Sequence, residues 1–164
     1  MASENEIGVG LLGLGVIGTQ VATHLLQNSD SLSDHLGRSI VLRRVLVRDI
    51  GAPRSISLPD GILTDDFDAV LNDPDIQIVV EVMGSEDPAA GYLTQLLQKG
   101  KSVVTANKEV MAKHGPELLA LAQEQGDVGL AEAPRRWIQC AVGVAETKGM
   151  LVVQQAPCLL HGEH

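Results

Sequence analysis

The chain has 164 residues, a formal net charge of −9, and 45% hydrophobic but only 2% aromatic residues. This length suits one domain whose core is built from aliphatic side chains rather than rings. The negative charge argues against nucleic acid and anionic membranes as partners, and no apolar run is long enough to span a bilayer. The first residues are polar and acidic, unlike a signal peptide, so we expect a cytoplasmic protein.

The first strand-to-helix transition carries a glycine motif. An apolar run from Ile7 to Leu12 precedes Gly13, Gly15 and Gly18, and a helical apolar pattern follows. Strand, glycine turn and helix in this order are the context in which G-x-G-x-x-G predicts a dinucleotide site. Gly13 would allow the tight turn, Gly15 the approach of a pyrophosphate, and Gly18 the packing of the helix on the strand. Free N–H groups at the start of the helix would bind the phosphates. The alternative is a glycine-rich turn without a ligand.

Strand and helix patterns alternate along most of the chain. This alternation predicts an α/β fold, a doubly wound Rossmann-type sheet that is mainly parallel with helices on both faces. After the glycine motif and its helix, the predicted elements are a strand over 40–47, a loop over 50–61, a short helix around 67–71 and a strand over 76–83. There follow a helix from 88 to about 100, a strand over 102–105, a helix from 107 that breaks at Gly115-Pro116, a second helix to 126 and a last strand over 128–130.

The pattern changes after Ala133. Residues 134–164 show no clear period and no helix caps, and their apolar residues fit either one or two strands or a loosely attached tail. The sequence therefore predicts a nucleotide-binding domain over 1–133 and an irregular tail over 134–164.

The end of the second predicted strand carries Arg48 and Asp49. An acid at this position bonds both ribose hydroxyls and favours NAD, whereas an arginine pairs with the 2′-phosphate of NADP. Only one of the two can face the ribose, and strand alternation places Arg48 at the tip. Arg54, in the loop beyond, is a candidate second positive charge. The alternative is that Arg48 is a solvated surface arginine.

Charged residues also lie near the ends of two later strands. Glu81 lies inside an apolar strand, and we favour an acid bonded to nearby backbone N–H groups over a functional carboxylate. The segment Thr105-Ala106-Asn107-Lys108 follows a strand end, where the binding crevices of open α/β sheets lie. Lys108 could stabilise developing negative charge or hold an anionic group. A lysine that points into water is the alternative.

Together these motifs resemble the NAD(P)-binding domain of homoserine dehydrogenase, from about Ile7 to Ala133. The T-A-N-K segment, with V-V-E-V-M-G before it, is more specific than the glycines. The resemblance implies that aspartate 4-semialdehyde is reduced to homoserine with NADPH or NADH, on the route to threonine and methionine. The likeness rests, in chain order, on 13–18, 45–48, 75–84, 88–89, 103–108 and 132–133.

The resemblance also implies residue roles. Arg48 would lie at the 2′-phosphate of NADP, and Lys108 would be the catalytic lysine beside cofactor and substrate. The backbone of Glu132 would help to bind a monovalent cation. The implied cofactor-binding residues are Gly13, Leu14, Gly15, Val16, Ile17, Gly18, Arg48, Gly84, Ser85, Thr105, Ala106, Asn107 and Lys108.

The sequence departs from the family pattern at two places. Gly84 is followed by Ser85-Glu86-Asp87 instead of a second glycine, which puts an acid near the nicotinamide. After Ala133, Pro134-Arg135-Arg136-Trp137 replaces a Val-Gly-Gly-type turn and the substrate-binding, dimerisation domain. If both arginines use CGN codons, a shift of one base allows Val-Gly-Gly, so we expect a frameshifted or truncated reading frame. The alternatives are an inactive NAD(P)-binding fragment and the Rossmann half of another amino-acid dehydrogenase; oligomeric state is left open.

Overall fold

The computed structural model describes residues 6–29, 34, 37–124, 138–147 and 150–155, the last two ranges as backbone only. Strands and helices alternate from the first element to α4, except that the short strand β3 directly follows β2. In chain order the elements are β1 (Glu6–Leu12), α1 (Val16–Gln27), β2 (Ser39–Leu46), β3 (Leu63–Thr64), α2 (Asp68–Leu71), β4 (Ile78–Glu81), α3 (Ala89–Gln98), β5 (Ser102–Thr105), α4 (Lys108–Glu124), β6 (Ile138–Thr147) and β7 (Met150–Gln155).

The strands form one sheet in the order β3-β2-β1-β4-β5-β6-β7. All neighbouring pairs from β3 to β6 are parallel, and β7 is antiparallel to β6. The order of the first six strands is that of dinucleotide-binding folds, and it reverses between β1 and β4. The prediction of a doubly wound, mainly parallel α/β sheet is confirmed. Ligands of such sheets bind at the carboxyl ends of the strands near this reversal.

Two hydrophobic cores lie on opposite faces of the sheet. Leu11 belongs to one core and its neighbour Leu12 to the other, because successive strand residues point to opposite faces. The first core packs β1 and β2 against α1, and the second packs the other face against α2, α3 and α4. Within the described ranges, no helix is both long enough and apolar enough to cross a membrane.

The predicted helix break at Gly115-Pro116 is wrong. α4 continues from Lys108 to Glu124 with Pro116 inside it. Its buried residues share one face, so packing against the sheet and α3 outweighs the roughly 3 kcal/mol that an internal proline costs. The buried residues of this face are Val110, Gly115, Leu118 and Ala122.

The edges of the sheet differ most from the predicted elements. The short edge strand β3 falls between the predicted loop and α2 and was not expected. β6 and β7 lie in the segment for which the sequence left one or two strands open. The predicted strand at 128–130 lies outside the described residues, and the domain boundary at Ala133 stays a prediction.

Candidate functional site

The turn between β1 and α1 is shaped by two glycines. Gly13 has a φ of +98°, and its N–H donates to the carbonyl oxygen of Leu46 at 3.0 Å. A Cβ on Gly18 would lie 2.2 Å from the carbonyl oxygen of Gly13, so only glycine allows this helix to pack so closely. A Cβ on Gly15 would meet no heavy atom within 4 Å. The turn therefore leaves open space at Gly15, directly before the helix.

The start of α1 faces this space without a capping side chain. Gly15 is the N-cap residue, and the first turn contains no acid. The N–H groups of the first turn have no helix carbonyl to bond, and they carry the positive end of the helix dipole. Val16 is 80% exposed and does not cover them. This geometry fits a phosphate group, so the residues present suit a dinucleotide.

A cleft of about 610 Å³ opens at the same edge of the sheet. This volume is within the usual range for small-molecule sites. It runs from the glycine turn past the end of β2 in one direction and past the end of β4 in the other. Residues that line it include Gly13, Leu14, Gly15, Arg48, Asp49, Arg54, Met83, Ser85 and Asp87 of these three segments, and Tyr92 of α3.

Four charged residues line the β2 end of the cleft: Arg48, Asp49, Arg54 and, after the neighbouring strand β3, Asp65. Two of them, Asp49 and Arg54, shape the loop after β2. The Arg54 guanidinium donates to the carbonyl oxygens of Asp49, Ile50 (3.0 Å) and Ala52 (2.6 Å). The carboxylate of Asp49 accepts the N–H of Gly51 at 2.8 Å. Arg48 is exposed, and within the described part of the chain its side chain has no hydrogen-bond or ionic partner. Arg48 is therefore the positive charge available to a ligand among the described residues at this end of the cleft.

At the β4 end of the cleft, Glu81 is fully buried. One carboxylate oxygen accepts the N–H of Met83 at 2.7 Å, and the other accepts the hydroxyl of Thr105 at 2.6 Å. The interpretation of Glu81 as an acid bonded to a nearby backbone N–H is confirmed. The sequence did not show the second donor, which comes from the neighbouring strand.

Asn107 connects the loop after β5 to the loop after β4. Its side-chain oxygen accepts the N–H of Val110 at 3.2 Å and so caps α4, as expected for a helix that starts here. Its side-chain amide donates to the carbonyl oxygen of Ser85 at 2.7 Å. Its backbone N–H donates to the hydroxyl of Thr105 at 3.0 Å.

Two acids, Asp87 and Glu86, depart from the family pattern. Asp87 lines the cleft, whereas Glu86 is bonded to α4 and is not among the cleft residues. Its carboxylate bonds Lys113 Nζ and, at 2.9 Å, His114 Nε2. The hydrogen bond from Lys113 is the main cause that lowers the pKa of Glu86 from its ordinary value of 4.5, and the bond from His114 is the second. Glu86 is therefore held against α4, outside the cleft lining.

We expect Glu86→Gln to reduce the loss of stability at acid pH. The pKa of Glu86 is lower in the folded chain, so its stabilising effect is complete above about pH 4.5 and is lost as pH falls through the lowered pKa. Urea unfolding at pH 7 and pH 3 should show a smaller difference in free energy of unfolding for Glu86→Gln than for wild type. Lys113→Met, which removes the main cause, should give the same result. Equal losses in all three proteins would contradict this assignment.

The predicted site residues that the structure describes fall into three groups: residues beside the cleft, residues at the start of α4, and residues that line the cleft. Val16, Ile17 and Gly18 form the helix start beside the cleft, and Gly84 precedes the lining residue Ser85. Thr105 and Asn107 are buried and bonded within the protein, Ala106 is half-buried, and Lys108 is exposed at the start of α4. Glu132 lies outside the described residues. The sequence missed Tyr92 as a cleft residue, and no motif pointed to it; Asp87, in the segment expected to put an acid near the nicotinamide, does line the cleft. The predicted residues that line the cleft are Gly13, Leu14, Gly15, Arg48 and Ser85.

Comparison with known families decides what kind of site this is. Residues 13–130 match the family model described as homoserine dehydrogenase, NAD binding domain. The chain belongs to the homoserine dehydrogenase family. Its dinucleotide is therefore a nicotinamide dinucleotide, and the resemblance inferred from the motifs is confirmed.

Relatives and solved structures agree with this assignment. The homoserine dehydrogenase of Bacillus subtilis is 42% identical over 120 residues, which are 73% of this chain and 28% of that protein. That of Synechocystis is 41% identical over 127 residues, 77% of this chain and 29% of that one. The crystal structure of the S. aureus homoserine dehydrogenase at pH 7.0 superposes with a TM-score of 0.69 and 37% identity, over 74% of this chain and 31% of that one. The chain thus spans under a third of the length of these homoserine dehydrogenases.

Proposed function

We propose that this chain is the cofactor-binding part of a cytoplasmic homoserine dehydrogenase, which interconverts L-homoserine and L-aspartate 4-semialdehyde in threonine and methionine biosynthesis. The observation that carries the proposal is the open space at Gly15 in front of the uncapped start of α1. We assign this role to residues 1–133 and leave the backbone of Glu132 as the proposed cation ligand.

Different described residues would bind different parts of the cofactor along the cleft. The turn at Gly13 to Gly15 and the first N–H groups of α1 would hold the pyrophosphate, and Arg48 the adenosine end. Reduced nicotinamide supplies the hydride when it is bound. Ser85 and its neighbours would orient the nicotinamide end. Lys108 would hold the reacting oxygen of the substrate and stabilise negative charge there.

We expect the chain to bind NADPH more tightly than NADH, and Arg48→Ala to remove this preference. A guanidinium forms charge-assisted hydrogen bonds with a phosphate, worth about 1.5–3 kcal/mol, or roughly tenfold to a hundredfold in Kd. The carboxylate of Asp49 already accepts the N–H of Gly51. This favours Arg48 over Asp49 as the residue that meets the adenosine end of the cofactor. Calorimetric titration of wild type and variant with both cofactors measures the preference.

Arg38→Ala is the matched control for Arg48→Ala. It removes the same charge from an exposed side chain at the other end of β2, bonded to the carbonyl oxygen of Glu6. Both cofactor affinities should stay near wild type in this variant. Equal wild-type affinities for NADPH and NADH would instead leave Asp49 as the ribose partner.

A further inference from the structure

The carboxylate of Glu81 contacts the loop after β4, which lines the cleft, and the end of β5, where the next loop starts. One oxygen bonds the N–H of Met83, in the loop after β4, and the other bonds the hydroxyl of Thr105, at the end of β5. The carbonyl oxygen of Glu81 also accepts the N–H of Ala106 at 3.1 Å. A single residue therefore fixes the start of both loops.

The contacts form a closed circuit. Thr105 accepts the N–H of Asn107, and Asn107 donates to the carbonyl oxygen of Ser85, which follows Glu81 by four residues. Each loop is thus held at two points, its start at Glu81 and a later residue at the Ser85–Asn107 bond. Lys108 directly follows Asn107, so its backbone position depends on the circuit.

Folding alone does not explain an acid at this position. Glu81 has no exposed surface, and in the described part of the chain it forms no ion pair. A buried, unpaired carboxylate is costly, whereas an aliphatic residue would continue the apolar pattern of the neighbouring Val79 and Val80 without that cost. The acid provides something an aliphatic residue cannot, two acceptors aimed at two different loops.

We infer that Glu81 is a positioning residue, which acts through Thr105 and Asn107 to set the nicotinamide end of the cleft. Thr105 and Asn107 then hold the two loops in place without lining the cleft, since both side chains are buried and bonded within the protein. This inference rests on the proposed function, because it assigns the β4 end of the cleft to the nicotinamide.

The test compares two ligands that differ at one end. NADPH occupies the whole cleft, and adenosine 2′,5′-bisphosphate carries only the adenosine end, at Arg48. Glu81→Gln keeps the size of the side chain but replaces the oxygen that accepts the Thr105 hydroxyl with an amide nitrogen, which can only donate. The Thr105 hydroxyl loses its acceptor, and any bond between the two side chains must run in the opposite direction. We expect this variant to bind NADPH about tenfold more weakly and the bisphosphate within about twofold of wild type. Thr105→Val should reproduce the effect, and Thr105→Ser, which keeps the hydroxyl, should restore NADPH binding.

Asn107→Asp tests the second link. Aspartate still caps α4, but it cannot donate to the carbonyl oxygen of Ser85, so NADPH binding alone should weaken. A general loss of stability would weaken both ligands together, and such a result, or unchanged NADPH binding in Glu81→Gln and Thr105→Val, would overturn the positioning role. If Glu81→Gln does not fold, Thr105→Val and Asn107→Asp decide the question. A wild-type chain that binds neither ligand contradicts the proposed function itself.

Discussion

Gly15→Val is expected to weaken NADPH binding at least a hundredfold while the chain keeps its fold. Gly15 has an extended backbone, with φ −78° and ψ −153°, and its Cβ would meet no heavy atom within 4 Å. Valine is therefore accommodated in the free protein, and its methyl groups fill the space that the pyrophosphate needs. A hundredfold change corresponds to about 2.7 kcal/mol. Calorimetry measures the affinity, and thermal unfolding by circular dichroism checks the fold.

Gly18→Val, in the same motif, should instead lower the stability of the fold. Its Cβ would lie 2.2 Å from the carbonyl oxygen of Gly13, so α1 must shift away from the turn. We expect the free energy of unfolding to fall by about 1–3 kcal/mol, seen as a Tm lower by several degrees. A Gly15→Val chain that binds NADPH normally would mean that this loop is only a turn.

The glycine motif is where sequence predicted structure in most detail. Each of the three glycines is required for a different local reason. Gly13 has a positive φ, Gly18 packs directly against the carbonyl oxygen of Gly13, and Gly15 leaves open space. Local requirements of this kind are written in a few adjacent residues. The fold class followed for a similar reason, since each strand and helix carries its own apolar period.

The errors occur where distant packing decides the local structure. Gly115-Pro116 is a strong local signal for a helix end, but the apolar face of α4 continues on both sides and is buried against the sheet. The two residues of β3 carry too few positions to show a period, and they form a strand because β2 offers a free edge.

The candidate site was predictable in position but only partly in its contacts. The sequence placed Arg48 at the end of a strand, Glu81 inside an apolar strand and Lys108 just after a strand end. The sequence could not show that Glu81 bonds Thr105, 24 residues away, or that Glu86 turns to α4 to bond Lys113. These contacts depend on which strands are neighbours and on the direction of each side chain.

A polypeptide of these 164 residues is expected to bind NADPH but to oxidise homoserine at less than about a thousandth of the rate of the Bacillus subtilis enzyme. Orientation of the reactants contributes about 7–11 kcal/mol to catalysis, and each 1.36 kcal/mol is tenfold in rate. Of the charged residues proposed to lie near the nicotinamide, Lys108 and Asp87 are exposed, and in the described part of the chain no hydrogen bond fixes either side chain. Two exposed side chains without fixed partners would not hold the amino and carboxylate groups of homoserine in one orientation.

A chimaera tests whether the cofactor part itself is competent. Residues 1–130, joined to the remainder of the Bacillus subtilis homoserine dehydrogenase, should restore turnover to within about tenfold of that enzyme.

In this chimaera, Lys108→Met should lower kcat about a hundredfold or more and leave the Kd for NADPH near its original value, because the lysine acts on charge that develops in the reaction. Lys99→Met, at an exposed lysine at the end of α3, is the matched control and should leave kcat unchanged. Homoserine oxidation by the 164 residues at the rate of the chimaera would show that they already hold the substrate, and the assignment of the described residues to cofactor binding alone would be wrong.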